Sequence, residues 1–557
     1  MKRLLFVLAA LALVLAGCHS IPQSGPVNAT RPPSSAGSNV GLYPTGPAQG
    51  ASPEEIVRGF LTASAAGVSE DFQVARQYLS PRAAAGWVPL SQVRIYSDSR
   101  IPAITRTETG AVQVNLDSQA TLDADGRYLP SPPATAISTE FSLAKNSEGE
   151  WRIVNLEDGL LVSSTLFSQQ YSRAPLYFLS SDSRYLVADL RWLPRASLAT
   201  SLTKELLAGP SPWLEKSVRT ALPATTKLGD GGIITDNGTA QVSLSPEALT
   251  VDLYTRRLIQ AQVSATLQSV PGIKRVEVTV NGAPLDVGEV SDMEDYPYSG
   301  RNLLLEVGGV PSWYSEGASY PLSMAAVPPQ LSDLALGYDA KPLAIGLSEA
   351  RRIVTLPNDG SDSVVLYESA KELIAPSVDR FGWVWSGPAD GSGPLIALTR
   401  GGKLSKIEAS WLDSPTISSI HISREGNRAV VVWHDKSTAH IAVAGIRRDE
   451  TGRPTKIDNP IDIGGDFEAV ADLAWIDATT LVVLGRVPGA SDQGMYTVPI
   501  GGPITTLPAE VAGAVSLTAG EGKDSIVVAT DEGVILERSG GAWQTLITGA
   551  ADPALAG

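Results

Sequence analysis

The sequence predicts a multidomain protein in which two α+β domains are followed by an all-β propeller. As far as about residue 310, apolar stripes with helical spacing alternate with runs of period two, which is typical of α+β domains. From about residue 320 the pattern changes to short β runs without a helical period, and one unit recurs there at spacings of about 40 to 52 residues. That spacing is the length of a four-stranded propeller blade, and the apolar run that follows a turn residue in each unit is expected to be the inner strand, which enters the packed centre.

The N-terminus has the features of a secretory signal. Two basic residues precede an unbroken apolar run of twelve residues, Leu4 to Leu15, which is too short to span about 30 Å of hydrocarbon as a helix. Small residues then lead into Cys18, the single cysteine of the chain. The tetrapeptide Leu15-Ala16-Gly17-Cys18 resembles the lipobox of bacterial lipoproteins. The resemblance implies cleavage after Gly17, which leaves Cys18 as an N-acyl, S-diacylglycerol cysteine; an ordinary signal peptide with an incidental cysteine is the alternative.

Composition and periodicity divide the chain into five segments. We expect a signal peptide at residues 1–17, a lipid-anchored flexible tether at 18–50, an α+β domain at 51–170, a second α+β domain at 174–310 and a propeller at 320–557. The tether is rich in Ser, Pro, Gly and Ala, and Arg31 is its only residue with a full charge. The last segment has room for five or six blades; a β-sandwich with regular hairpins is the alternative there.

Charge and cysteine content exclude several classes of protein. The formal net charge is −16, and loss of Lys2 and Arg3 changes it to −18 (41 − 59), which argues against nucleic acid as a partner. A single cysteine excludes an intramolecular disulfide. No later stretch approaches the length of about 18 apolar residues that a spanning helix needs, so membrane contact is expected to depend on the lipid.

The first α+β domain begins with a helix-start signal. Ser52-Pro53-Glu54-Glu55 supplies an N-cap Ser, Pro at the first helical position and Glu at the third, which predicts a capping box. Strand-like alternation follows at residues 112–116, 139–143 and 152–156. The closing stretch Gly149 to Val154, followed by Asp158-Gly159, resembles the cone-shaped fold of the nuclear-transport-factor-like superfamily.

The second α+β domain ends in a hairpin signal. Helical spacing at residues 198–206 and 255–270 predicts two helices, and alternating valines then lead into Asn281-Gly282, a type I′ turn sequence. The segments Leu206 to Pro210, Ala221 to Pro223 and Val278 to Gly282 resemble the GerMN domain of spore-germination and envelope proteins.

Motifs for catalysis and metal binding are weak throughout the chain. The Ser-x-x-Lys tetrads at Ser142 and Ser201 lack the companion motifs of penicillin-binding enzymes. Asp123-Ala124-Asp125-Gly126 begins like a calcium loop, but Ala134 stands where the bidentate Glu belongs, so a hairpin turn is predicted. The propeller histidines are expected to be structural. The sequence therefore predicts no catalytic residue, no metal site and no cofactor.

The lipobox, the α+β domain, the GerMN-like domain and the propeller, in that order, resemble the actinobacterial LpqB lipoproteins. The resemblance implies a lipid-anchored protein on the extracytoplasmic face of the cell membrane. It implies a binding and regulatory accessory of the MtrA–MtrB two-component system, which influences envelope homeostasis and division. The expected partner is the extracytoplasmic domain of an MtrB-like sensor histidine kinase, and peptidoglycan contact by the GerMN-like domain is left open.

An envelope glycan-processing hydrolase is the alternative function. Propellers host glycosidases that use paired carboxylates, and Asp379, Glu425 and Asp472 are the candidates in this chain. All three have the sequence surroundings of turn residues. Two carboxylates roughly 5 to 10 Å apart in one concave pocket would favour hydrolysis over binding.

Cys18→Ala should abolish lipid modification and leave a soluble or uncleaved precursor. The reason is that the sequence offers no other membrane element. Detergent-phase partitioning and the mass of the N-terminal peptide measure both effects. An unmodified Cys18 in the wild-type protein would contradict the lipobox interpretation.

Overall fold

The computed structural model describes residues 45–66, 72–132, 135–288, 293, 302–339, 341–412, 416–435 and 438–556. The predicted signal peptide and Cys18 lie outside the described residues, and so does the predicted tether up to residue 44. Across the described ranges, no helix combines the length and the apolar character that crossing a bilayer requires.

The N-terminal domain is a curved, mostly antiparallel sheet with helices packed on it. Its helices are α1 (Pro53–Ala66), α2 (Gln73–Arg76), α3 (Pro81–Gly86) and α4 (Ser164–Gln170). Its strands are β1 (Gln92–Tyr96), β2 (Ala103–Arg106), β3 (Val112–Asp123), β4 (Tyr128–Pro130), β5 (Ala136–Lys145), β6 (Trp151–Asn155) and β7 (Leu160–Ser163). The order is β6-β5-β3-β1-β7, and β2 and β4 also pair with β3. The α+β prediction is confirmed, whereas the nuclear-transport-factor-like resemblance stays a prediction.

The predicted capping box is present at the start of α1. The backbone N–H of Glu55 donates to Ser52 Oγ at 3.3 Å, and the backbone N–H of Ser52 donates to Glu55 Oε2 at 2.8 Å. The buried face of α1 carries Phe60, whose ring meets Trp87 edge-on at 5.2 Å between centroids. Phe72 meets the same Trp87 ring at 5.7 Å, so one tryptophan joins α1 to the segment before α2.

The second domain combines a two-stranded hairpin, a four-stranded sheet and two helices. The hairpin is β8 (Tyr171–Leu179) and β9 (Leu186–Pro194); the sheet has the order β10 (Leu228–Asp236), β11 (Thr239–Leu244), β12 (Arg275–Val280), β13 (Ala283–Pro284). The helices are α5 (Leu198–Ala208) and α6 (Leu253–Gln268), and α6 connects the parallel strands β11 and β12. Asn281 and Gly282 have φ of 53° and 78°, which confirms the predicted hairpin turn.

The C-terminal domain is a propeller of six four-stranded blades. The first blade contains β14 (Leu303–Val307), β15 (Val310–Ser315) and β16 (Ala318–Pro321) and is completed by the last strand, β37 (Ala550–Ala554). The second and third blades are β17 (Leu331–Leu336), β18 (Ala344–Ser348), β19 (Arg352–Thr355), β20 (Val365–Glu368), then β21 (Ser377–Val378), β22 (Val384–Ser386), β23 (Leu395–Leu398), β24 (Leu404–Ile407).

The remaining three blades contain the longest strands. They are β25 (Thr416–Ile422), β26 (Arg428–Asp435), β27 (Thr438–Arg448), β28 (Pro454–Phe467); β29 (Ala469–Asp477), β30 (Thr480–Arg486), β31 (Gly494–Pro499), β32 (Thr505–Thr506); and β33 (Ala514–Ala519), β34 (Ile526–Thr530), β35 (Val534–Ser539), β36 (Ala542–Thr548). The innermost strands β17, β21, β25, β29, β33 and β37 contact one another around the centre.

Two features of the propeller differ from the sequence-based expectation. The first blade begins at Leu303, before the expected start near residue 320, because β14 to β16 pair with β37 and not with the sheet of the second domain. The recurring apolar runs were expected to be innermost strands, and this expectation is wrong: they form the second strand of each blade. A second strand is covered by blades on both of its faces, whereas an innermost strand also borders the central channel, so the second strand is the more apolar of the two.

The second domain and the propeller share one continuous apolar core. Buried side chains of β8, α5 and α6 belong to the same cluster as buried side chains of β26, β27 and β30. Polar contacts surround it: Arg380 donates to both carboxylate oxygens of Asp182 at 2.7 and 2.9 Å, and Asn427 Nδ2 donates to the carbonyl oxygen of Ser217. These contacts are made by the turns that follow β21 and β25, so the second domain packs against the face of the propeller at which the innermost strands end.

The predicted turn at Asp123 attaches the first domain to the other two. Asp123 Oδ1 accepts from the backbone N–H of Asp125, and Gly126 has a φ of 77°, as a hairpin turn requires. The carbonyl oxygen of Gly126 accepts from the backbone N–H of Trp192 at 2.7 Å. Trp192 Nε1 in turn donates to the carbonyl oxygen of Gly501 at 2.8 Å. Trp192 therefore lies where all three domains meet.

Gly445→Ala should weaken the contact between the second domain and the propeller. A Cβ at Gly445 would lie 2.8 Å from the carbonyl oxygen of Trp213 and would collide with Ser217. We expect a loss of about 1 to 3 kcal/mol in the free energy of unfolding, with faster amide exchange in the second domain. Gly401→Ala is the matched control, since the nearest atom to its Cβ is Thr399 Oγ1 at 3.9 Å. Equal stability of the two variants would contradict the tight packing at Gly445.

Candidate functional site

The innermost strands of the propeller surround a cavity of about 540 Å³. Its lining begins near the starts of these strands, at residues such as Asp333, Thr416, Ala471 and Val515. The turns that follow the ends of β21 and β25 contact the second domain. The cavity therefore opens on the propeller face opposite the second domain.

Arg424 crosses the far end of this channel. It extends from the turn after β25, and its Nη2 donates to the carbonyl oxygens of Ala519 at 2.9 Å and Gly520 at 2.7 Å, where β33 ends. The side chain is buried. Arg424 therefore joins the fourth blade to the sixth at the end of the channel nearer the second domain, and it is not one of the residues that line the cavity.

Acidic groups concentrate at the cavity. Asp333, Asp472, Asp552 and His421 line it, and its described lining contains no Lys or Arg. The backbone N–H of Asp333 donates to Asp552 Oδ2 at 3.2 Å. His421 Nε2 lies 3.9 Å from Asp472 Oδ1. The remaining lining is largely small hydroxyl side chains and aliphatic groups, so the carboxylates set its electrostatic character.

Burial changes the proton affinity of these groups. Burial, reinforced by the charges of Asp333 and Asp552, raises the pKa of Asp472 to about 7, although two backbone N–H groups donate to its carboxylate. Burial and the charge of Asp333 raise the pKa of Asp552 to about 6. Burial lowers the pKa of His421 to about 4, so its imidazole is neutral at pH 7. A cation that entered the cavity would therefore favour ionisation of Asp472 and Asp552.

The structure does not bring together the three carboxylates considered for hydrolysis. Asp379 is buried and accepts from Arg448 Nη2 at 2.6 Å, and Glu425 is buried and accepts from Arg428 Nε at 2.7 Å. Both are turn residues, as expected, whereas Asp472 lies within β29 and the turn prediction for it is wrong. Only Asp472 among the three lines the cavity.

The other residues singled out from sequence are dispersed. His440 stacks on Trp433 with 4.2 Å between ring centroids, far along the fourth blade from the channel lining. Ser142 lies on β5, and Ser201 on α5 is within hydrogen-bond distance of Ser197 Oγ at 3.1 Å. Within the described residues, no group of three or more His, Cys, Asp or Glu side chains is arranged to hold a metal ion.

Asp333 and Asp552 could not be recognised as site residues from the sequence. They are 219 residues apart in the chain and become neighbours only because β37 completes the first blade. Both have positive φ, 52° and 49°, which Asp tolerates better than most residues. No periodic signal in the sequence marks this pairing.

Comparison with known proteins shows to which family this chain belongs. The model described as "Lipoprotein LpqB, N-terminal domain" matches residues 46–168, and that described as "Lipoprotein LpqB beta-propeller domain" matches residues 321–556. Lipoprotein LpqB of Cutibacterium acnes is 26% identical over 98% of this chain and 97% of its own length. Lipoprotein LpqB of Bifidobacterium longum is 27% identical over 81% and 80%. The chain belongs to the LpqB lipoprotein family.

A third model identifies the second domain of this LpqB family member. The Germane model, described as "Sporulation and spore germination", matches residues 175–286, which confirms the GerMN-like prediction. The first GerMN domain of the sporulation protein GerM from Bacillus subtilis is 27% identical over 22% of this chain and 96% of that structure. Its TM-score is 0.19, so the GerMN assignment rests on the family model.

Asp472→Asn should stabilise the protein at pH 8 more than at pH 5. An ordinary Asp titrates near pH 4 when unfolded, so the folded state binds a proton more tightly between about pH 4 and 7. Wild-type stability therefore falls as the pH rises through this window, and Asn removes that loss. We expect the melting-temperature difference, variant minus wild type, to grow by about 2 °C or more from pH 5 to pH 8. The exposed Asp492→Asn is the control, and a pH-independent difference at Asp472 would show that its pKa is ordinary.

Proposed function

We propose that this LpqB family member is a binding and regulatory accessory of the MtrA–MtrB two-component system. In this proposal lipid on Cys18 anchors it to the extracytoplasmic face of the cell membrane, and it contacts the outer domain of an MtrB-like sensor kinase. Family membership and the lipobox support the anchoring, and through the kinase the protein would influence envelope homeostasis and division. Anchoring both partners in one membrane raises their effective concentration, so a weak contact can be occupied.

The observation that carries the proposal is the open, acidic face of the propeller. The GerMN-like domain packs against one face through a shared core, and the cavity with Asp333, Asp472 and Asp552 opens on the other. Because their carboxylates lack a Lys or Arg in the described lining, a partner that inserts a basic side chain would gain charge-assisted hydrogen bonds. The net charge of −16 favours the same kind of partner.

Binding is favoured over catalysis by the state of the candidate carboxylates. Asp379 and Glu425 are held by Arg448 and Arg428, so neither can act on a glycan in the cavity. The glycan-processing alternative retains one supporting observation, the raised pKa of Asp472 and Asp552 in the same cavity. Release of reducing sugar ends from purified envelope glycan, lost in Asp472→Asn, would favour the hydrolase.

Asp333→Asn with Asp552→Asn should weaken binding to the kinase outer domain. We would measure affinity for the purified outer domain with the detergent-solubilised full chain at low and physiological salt. The double variant should bind about threefold more weakly and with less salt dependence, because two charges facing the partner are removed. Asn is suited to the positive φ of both positions, so the fold should be retained.

The matched control is a pair of exposed aspartates away from the cavity, Asp230→Asn with Asp492→Asn. It removes the same charge and should leave affinity unchanged. In cells, phosphorylation of the response regulator should change when the protein is deleted. Absence of binding at micromolar concentration, together with unchanged phosphorylation, would overturn the accessory role.

A further inference from the structure

A second concave region lies between the first and second blades. It is a cleft of about 770 Å³, within the range of about 300 to 1,000 Å³ that is typical of ligand pockets. Its walls come from β15, from the connection between β17 and β18, from the loop between β19 and β20, and from Arg400 in the turn after β23. The proposed kinase contact does not use this cleft, so the inference below is independent of it.

One wall of the cleft is a fixed aromatic surface. Trp313 is partly buried and packs against the apolar cluster that contains Leu304 and Leu322, and the rest of its side chain is accessible in the cleft. Tyr314, the next residue on β15, points to the other face of the strand, where it packs against the sixth blade and its hydroxyl donates to the carbonyl oxygen of Leu546 at 3.0 Å. Packing on both faces of β15 therefore sets the position of the Trp313 ring before any ligand arrives.

The opposite wall is a polar rim that is also held in place. Asn358 Oδ1 accepts from the backbone N–H of Ser323 at 2.8 Å, and the backbone N–H of Gly360 donates to the carbonyl oxygen of Ser323 at 2.8 Å. Asp359 Oδ1 accepts from the backbone N–H of Ser361 at 3.1 Å. Hydrogen bonds from Ser361 hold the pKa of Asp359 below its ordinary value, so this carboxylate is an ionised acceptor at neutral pH.

The described lining of the cleft carries equal numbers of positive and negative side chains. Lys341 and Arg400 supply donors, while Asp359 and Asp362 supply acceptors, so the described lining has no net charge. A phosphorylated ligand needs an excess of positive charge, and the described lining provides none. A purely apolar ligand would bury these polar groups without partners.

We infer that the cleft binds a saccharide. A sugar ring has an apolar face of C–H groups, which packs on an aromatic ring such as Trp313, and a rim of hydroxyls that each donate and accept. A rim that carries both donors and acceptors, with no net charge among its described residues, meets those hydroxyls on the other side. The class expected is therefore a glycan segment of a few sugar units.

The test uses two soluble probes and the detergent-solubilised full chain. N-acetylglucosamine tetramer is the neutral probe, and the disaccharide of N-acetylglucosamine and N-acetylmuramic acid is the carboxylated one. Titration calorimetry should detect saturable binding of at least one probe. Trp313→Ala should weaken it about tenfold, and Arg400→Gln, a change on an exposed turn, should weaken it about threefold.

Matched controls separate the cleft from the rest of the surface. Trp151→Ala removes a partly exposed tryptophan of the first domain, and Lys403→Gln removes a cation from the same turn as Arg400. Both should bind like the wild type. Thermal unfolding reports whether Trp313→Ala is folded, and Arg400→Gln tests the site if it is not. Absence of binding at about 10 mM of either probe, or binding that both cleft variants leave unchanged, overturns the inference.

Discussion

The pairing of the last strand with the first blade holds the propeller closed, and both of its concave regions depend on it. In that pairing Leu304 lies opposite Ala554, and Val307 lies opposite Ala550. It brings Asp552 to Asp333 at the channel mouth. It also anchors β14, and with it β15, whose Trp313 forms the wall of the cleft between the first two blades. Without this strand pairing, the channel cavity would lose Asp552, and the cleft would lose the support of the wall that carries Trp313.

The acidic groups of the protein fall into two electrostatic classes. Asp189, Asp379 and Glu425 are buried, and each contacts the guanidinium of an arginine. Such pairs offset the cost of removing a charge from water, and they fix the local geometry where the second domain packs against the propeller. The channel carboxylates have no such partner in the described lining. The acids that contact an arginine are therefore structural, whereas the channel carboxylates are available to a partner.

Features formed by residues close together in the sequence could be predicted, whereas features formed by distant residues could not. The capping box at Ser52 and the turn at Asn281 depend on residues within a few positions of each other, so both can be recognised in the sequence. The blade repeat could also be recognised, but the repeated apolar run is the second strand of each blade, since that strand is the most completely buried. The ring closure and the Asp333–Asp552 pair join segments more than 200 residues apart, for which no local pattern exists. The start of the first blade was missed for the same reason, because its innermost strand is at the other end of the chain.

The strand that closes the ring is synthesised after all of the other described strands of the propeller. Until it emerges, β14 presents an unpaired edge and the first blade has no innermost strand, a state exposed to proteases and to mispairing with other chains. The first two domains, in contrast, contain all of their own strands and can fold earlier. A stop codon placed directly before Ala550 should therefore act like loss of the whole propeller, because the first blade would never gain its innermost strand.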